Sequence, residues 1–297
     1  MPRREPPPHL YFVGSAVFHY LGPAFAVLLF ARVEPLGVAW LRIAAAAAVF
    51  ALWRAPWRVW QAASSAGRRT IVALGGVLGV MNACFYLAID RLPLGTVAAI
   101  EFLPVIALAA FGARTPRNVA ALGLAVAGVY LLTDVRLEGE PLGVTLALAN
   151  AALFALYIVL AHRLARSGEA SGVDGLGAAM LVALVVVMPL GGWLALPALV
   201  DPVALAAGIG VGIASSVIPY VCDQLAMARL RRSTYALLVS LLPATATAIG
   251  VVVLRQVPTG PEVLGVALVV AGVAAHRERS GEPPELAPQP HLVEHRL

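Results

Sequence analysis

Between residues 10 and 275 the chain is almost never polar for longer than a short loop. Ten apolar segments follow one another, at about 10–31, 36–53, 70–89, 94–112, 118–133, 142–161, 176–196, 203–227, 233–254 and 261–275. A helix needs about 20 mostly apolar residues to cross a bilayer. Most of these segments reach that length. Those at 118–133 and 261–275 fall short, so their ends are the least defined. Hydrocarbon offers no partner to a backbone N–H or C=O, so a spanning segment has to satisfy its own, as a helix does. The pattern predicts an all-α membrane protein of ten transmembrane helices, with the lipid bilayer as its solvent.

Composition agrees. The chain is 60% hydrophobic and 12% charged, with a mean hydropathy of +0.86, where soluble domains are about a quarter charged. Little sequence remains for an aqueous domain. Residues 1–9 are too proline-rich for a cleavable signal peptide and are expected to form a cytoplasmic tail. Residues 277–297, with prolines and scattered charges, are expected to be a disordered cytoplasmic tail.

The net charge of +5 comes with 21 basic residues, every one an arginine. With the N-terminus placed in the cytoplasm, sixteen of them fall on the inner side and four (Arg32, Arg91, Arg136, Arg255) on the outer, with Arg42 inside a helix. This asymmetry follows the positive-inside rule. The charge therefore encodes topology and gives no reason to expect a nucleic-acid partner. Both termini are expected to be cytoplasmic.

The sequence also repeats. CFYLAIDRLPLGTVA (84–98) set over CDQLAMARLRRSTYA (222–236) agrees at seven of fifteen positions, including Cys84/Cys222, Arg91/Arg229 and Thr96/Thr234. A one-residue shift then brings Pro104 onto Pro243, and LGLAVAGV (122–129) resembles LGVALVVAGV (264–273). Two repeats of five helices are expected, over 10–133 and 142–276, joined by an outer linker at 134–141. An odd number of crossings per repeat turns the second copy upside down. The loops fit: the arginine-rich stretch 54–69 is matched by the arginine-free LPALVDPVA (196–204). Inverted repeats of this kind build secondary transporters, with the site near the bilayer midplane between the halves.

Polar residues inside the apolar segments point to that site. TVAAIEFLPVIALAAFG (96–112) carries Glu101, and a charge at the bilayer centre costs roughly 2.5–3.5 kcal/mol on insertion scales. Glu101 is expected to face the bundle interior, to be partnered, or to be protonated part of the time, and so to exchange protons. The structural alternative is a hydrogen bond between helices. Arg42 is the partner to test, since both residues lie about 10 Å from the outer ends of their helices at 1.5 Å per residue. Prolines within helices free the carbonyl four residues back. Pro23, Pro104, Pro219 and Pro243 thereby release the carbonyls of His19, Ile100, Ser215 and Val239, each beside a polar group, which predicts a central cavity. His19 itself, Asp223, Asn82, Tyr86, Tyr157, Ser215, Ser216 and Tyr220 are further candidates for a solute or proton path. Asp223 lies nearer the cytoplasmic end and could instead cap or snorkel, and serine and asparagine also serve as packing contacts. Gly75, Gly79, Gly208 and Gly212, at small-xxx-small spacing, are expected to set close helix contacts.

Nothing in the sequence suggests catalysis. It has no HExxH, no glycine-rich phosphate loop and no serine–histidine arrangement. Cys84 and Cys222 have no metal-ligand spacing around them, so neither a metal nor a cofactor is expected.

Several motifs carry a family resemblance: GPAFAVLLF leading into PLGVAWLRI, GVMNACFYLAI, PLGTVAAIEF, ALYIVLAHR and SSVIPYVCDQLAMARL. Between about Gly22 and Gly272 the chain resembles the EamA-type branch of the drug/metabolite transporter superfamily, and within it the bacterial threonine/homoserine exporters. The resemblance implies proton-driven export of small amino acids or related metabolites from the bacterial inner membrane. Its partners would be a small-molecule substrate and protons, with a homo-oligomer left open. Glu101 would be the coupling carboxyl, and Arg42 its partner or the anchor for a substrate carboxylate. Val27 stands where a lysine is expected, and Leu242 where an acid is expected before Pro243. Two alternatives are export of hydrophobic cations, which Glu101 would attract directly, and an integral-membrane enzyme.

Overall fold

The computed structural model describes residues 8–112, 115–137, 140–167, 172–219, 222 and 241–275, and among these there is no strand. The helices are α1 (Pro8–Leu29), α2 (Pro35–Arg54), α3 (Trp57–Ala62), α4 (Ser65–Ile89), α5 (Leu94–Gly112), α6 (Pro116–Leu137), α7 (Pro141–Arg166), α8 (Gly172–Val187), α9 (Leu196–Val200), α10 (Pro202–Gly212), α11 (Leu242–Leu254) and α12 (Gly260–Ala275). π-helical turns follow α8 at Met188–Gly192 and α10 at Ile213–Val217. A helix covers all or part of each of the ten apolar segments; the short α3 and α9 lie in loops between them. Five stretches are long and apolar enough to cross a membrane: Leu10–Leu29, Pro35–Arg54, Ser65–Ile89, Pro141–Leu164 and Val173–Gly192. Apolar stretches of 10–17 residues lie in other helices, among them Leu94–Pro104 within α5 and Pro202–Val217.

Local chemistry sets the boundaries. Pro35, Pro141 and Pro202 sit in the first turns of α2, α7 and α10, where a missing N–H leaves nothing unpaired. Asp201 caps α10 by accepting from the backbone N–H groups of Val203 and Ala204. Helix α6 runs to Leu137, beyond the expected end at 133 and into the expected linker. Hydropathy falls at Thr133 and Asp134, but neither breaks a helix, and no glycine or proline intervenes before Gly139.

Long-range contacts tie the loops together at two ends of the bundle. At one end Arg32 pairs with Asp201 at 2.9 Å, and Gln256 accepts from the Leu94 N–H at 3.1 Å, capping α5. At the other, Arg54 pairs with Asp174 at 2.7 Å, and Arg117 donates to the terminal carbonyl of α12, on Ala275, at 2.6 Å. Each contact joins segments that alternate crossing would put on one side.

Helix packing follows a pattern of exchange. Helix α4 packs on α7 and α8, as α10 packs on α1 and α2. Helix α5 packs on α7 as α11 packs on α1, while α2 meets α8, α5 meets α11 and α6 meets α12. Small residues permit the closest of these approaches, since apolar surface gains nothing by leaving lipid and van der Waals contact has to hold the helices. A Cβ on Gly128 would lie 2.6 Å from the Gly265 carbonyl of α12, and one on Gly212 would lie 2.6 Å from the Ala45 Cβ. Gly75, Gly79 and Gly208 likewise face side chains of a neighbouring helix, as their spacing predicts. Large apolar residues such as Leu52, Val185, Val203 and Val252 remain exposed, as suits a surface in contact with lipid.

Candidate functional site

Arg42 stands seven residues into α2 and Glu101 seven into α5, at the shared depth their positions predict. Each is held by neutral partners. Arg42 Nε donates to the Ser216 Oγ and Nη2 to the Ser215 carbonyl, both at 3.2 Å. The guanidinium also lies over the Tyr86 ring, 5.6 Å from its centroid. Ser215 lies in the π-helical turn before Pro219, where the ladder steps five residues, the Ile218 N–H bonding the Ile213 carbonyl. Arg42 gives the Ser215 carbonyl a donor from another helix. Ser15 of α1 donates to the Pro219 carbonyl at 3.2 Å, tying α1 to the same stretch.

Glu101 is buried, and its Oε1 accepts from the Asn150 Nδ2 of α7 at 3.2 Å. The ion pairs within 4.0 Å among the described residues are Arg32–Asp201, Arg54–Asp174 and Arg91–Asp90, and the Arg42–Glu101 pair that their shared depth permits is not one of them. The two charges nevertheless lie within electrostatic reach of each other. His19 packs edge-on against Tyr20, with ring centroids 5.1 Å apart, and is within electrostatic reach of Arg42, as Tyr20 is of Glu101.

Four buried polar atoms in this group have no hydrogen-bond partner among the described residues: Tyr20 OH, Tyr86 OH, Asn150 Oδ1 and Ser215 Oγ. The Tyr86 hydroxyl lies close to Arg42 and Ser215 without bonding geometry to either. An unpaired buried polar group costs about 1–3 kcal/mol, so four beside an arginine and a carboxylate form a set that a polar solute can engage. Helices α1, α2, α4, α5, α7 and the turn after α10 all contribute.

Other expected residues fall elsewhere. Asn82 is buried but donates to the Leu78 carbonyl of its own helix. Tyr157 stacks on Phe154 and packs against apolar clusters. Helices α1 and α5 are continuous through Pro23 and Pro104, so neither proline ends its helix. Pro243 is in the first turn of α11, where its missing N–H is harmless. Tyr220, Asp223 and Val239 lie outside the described residues. Asn150 was not anticipated, although a lone amide in the apolar run ALANAALF (147–154) is a signal of the same kind as Glu101.

A buried polar centre shared by helices from both ends of the chain, inside an apolar helical bundle, is the layout of a membrane transporter. Residues 141–275 match the EamA-like transporter family. Threonine/homoserine exporter RhtA of Salmonella typhimurium (strain LT2) is 31% identical over 253 residues, covering 84% of each chain. The protein of that name from Escherichia coli (strain K12) matches to the same extent. A protein of known crystal structure aligns over 90% of this chain and 95% of its own with a TM-score of 0.54 and 20% identity, a likeness of fold. The chain belongs to the EamA-like transporter family. It is a membrane transporter and not an enzyme.

Proposed function

We propose that this protein exports small amino acids of the threonine/homoserine kind, or related metabolites, across the bacterial inner membrane in exchange for protons. Ten transmembrane helices in two inverted five-helix repeats would carry the movement, with both termini cytoplasmic. The exchange pattern of helix contacts and the grouping of loops at two ends support that architecture. The arginine asymmetry supports the orientation.

One observation carries the functional reading: two opposite charges inside the bundle, Glu101 buried and Arg42 half-buried, are held by neutral groups and not by each other. A zwitterion presents the complementary pair. Its carboxylate would take the Arg42 guanidinium, whose planar fork suits a carboxylate, and its ammonium would face Glu101. A carboxyl group can hold a proton or face an ammonium, but the two compete. Loading substrate on one side and a proton on the other is then exchange. Tyr20, Tyr86, Asn150 and Ser215 would supply the neutral contacts that distinguish one small solute from another.

The test is transport by the purified protein in proteoliposomes, over a panel holding threonine, homoserine, other small amino acids and a hydrophobic cation, with and without a pH gradient. Gradient-dependent flux of a small amino acid is expected. Flux of the cation alone would replace the substrate class, and flux indifferent to the gradient would remove proton coupling.

A further inference from the structure

We propose that the groove between α3 and α8 binds an anionic phospholipid, with an acyl chain between the two helices and its phosphate on Arg58 and Arg69. Three observations meet there. The first is the groove itself, a cavity of about 350 Å³ walled by Trp57 and Trp60 of α3 and by Leu181, Val182 and Val185 of α8. That volume lies within the range of small-molecule sites, roughly 300–1,000 Å³, and its walls are almost wholly apolar.

The second is the character of α3. After the left-handed Ala55 (φ 46°) the chain leaves α2 and forms only six residues of helix before α4 begins. None of those six is buried, and Trp57 and Trp60 are 49% and 39% exposed. Tryptophans half in and half out of apolar surface belong at the membrane–water boundary.

The third is charge. Four arginines, Arg54, Arg58, Arg68 and Arg69, lie on α3 and on the adjoining ends of α2 and α4. Two of them are committed to the protein: Arg54 to Asp174, and Arg68 to the carbonyls of Trp60 and Gln61, with its guanidinium 5.7 Å from the Trp60 ring centroid. Arg58 and Arg69 are exposed and make no ion pair or side-chain hydrogen bond among the described residues. Clusters of about four or more basic residues beside a membrane helix attract anionic lipid headgroups. Here Arg68 of that cluster lies against Trp60, a wall of the apolar slot, so one lipid molecule satisfies both. The site is separate from Arg42 and Glu101, and its test does not depend on what is transported.

The experiment reconstitutes the full chain in phosphatidylcholine vesicles and titrates in phosphatidylglycerol brominated on its acyl chains, or brominated phosphatidylcholine, while following tryptophan fluorescence. Brominated phosphatidylglycerol is expected to quench at about fivefold or more lower mole fraction, the effect of at least one arginine near a phosphate. Arg58→Gln/Arg69→Gln, both at exposed positions, should bring the two curves together. Val185→Phe, which fills the slot from an exposed position, should do the same with all arginines in place. In Trp57→Phe/Trp60→Phe the selective component should vanish. Coincident curves for the unaltered protein would leave only a general lipid annulus and overturn the proposal. So would selectivity that survives Val185→Phe, or that persists without Trp57 and Trp60.

Discussion

Replacing Arg42 by glutamine removes the charge but keeps an amide nitrogen at the level of Nε, which can still donate to the Ser216 Oγ. Replacing it by leucine removes every donor. Arg42 Nη2 also reaches the Ser215 carbonyl at 3.2 Å. Losing both bonds in Arg42→Leu should cost about 1–3 kcal/mol of stability, and Arg42→Gln, which keeps the bond to Ser216, should lose less. Binding should respond differently. If Arg42 holds the substrate carboxylate, a lost charged hydrogen bond is worth about 1.5–3 kcal/mol, so both variants should weaken binding by at least roughly 10- to 150-fold, the effect of one such bond. Arg42→Lys keeps the charge without the fork and should fall between them and the unaltered protein. The assay is calorimetric titration of threonine and homoserine, corrected for folded fraction, alongside thermal unfolding in detergent. An Arg42→Gln protein that binds within twofold of the unaltered one would refute the anchoring role. Equal stability of the glutamine and leucine variants would refute the structural part.

Three further outcomes are expected. Gly212→Ala should lower the unfolding temperature, because its Cβ would lie 2.6 Å from the Ala45 Cβ and 2.7 Å from the Arg42 carbonyl, an overpacking that costs about 1–3 kcal/mol, whereas Gly210→Ala meets nothing within 4 Å and should be neutral. The Asp201 carboxyl is held below its ordinary pKa of 3.8 by the Ala204 N–H first and by Arg32 beside it. Its contribution to the start of α10 is therefore complete above about 3.8 and lost as pH falls from there through the lowered folded value, so amide exchange at residues 203–205 should accelerate over that interval in the unaltered protein and much less in Asp201→Asn. Reporters fused after Arg69 and after Arg232 should both read cytoplasmic, and either one outside would break the inverted-repeat topology.

Much of the fold was legible because a membrane imposes one rule on every spanning segment, and the apolar runs record it. Helix ends were less legible. Hydropathy marks where lipid stops, and α6 continues to Leu137 regardless. The short α3 was hidden in an arginine-rich loop, since six residues carry too little periodicity to register. At the site, Arg42 and Glu101 stood out because charge in an apolar run is costly. Their partners did not, because which neutral group meets a charge depends on how helices cross. Shared depth in the sequence permitted an Arg42–Glu101 pair without showing one; α7 brings Asn150 to Glu101, and the turn before Pro219 brings a carbonyl to Arg42.

Exchange of substrate for protons at Glu101 is tested by Glu101→Gln, which keeps the side chain's shape and an oxygen that can accept from Asn150 but cannot ionise. An amide is also cheaper to bury than a carboxylate, so insertion should not suffer. The measurement is pH-gradient-driven uphill transport in proteoliposomes, normalised to folded protein, alongside substrate exchange at equal pH. Uphill transport should be abolished while exchange at equal pH survives, because the proton can no longer load and unload. Full gradient-driven transport by Glu101→Gln would contradict the coupling role and leave Glu101 as a structural hydrogen-bond partner of Asn150.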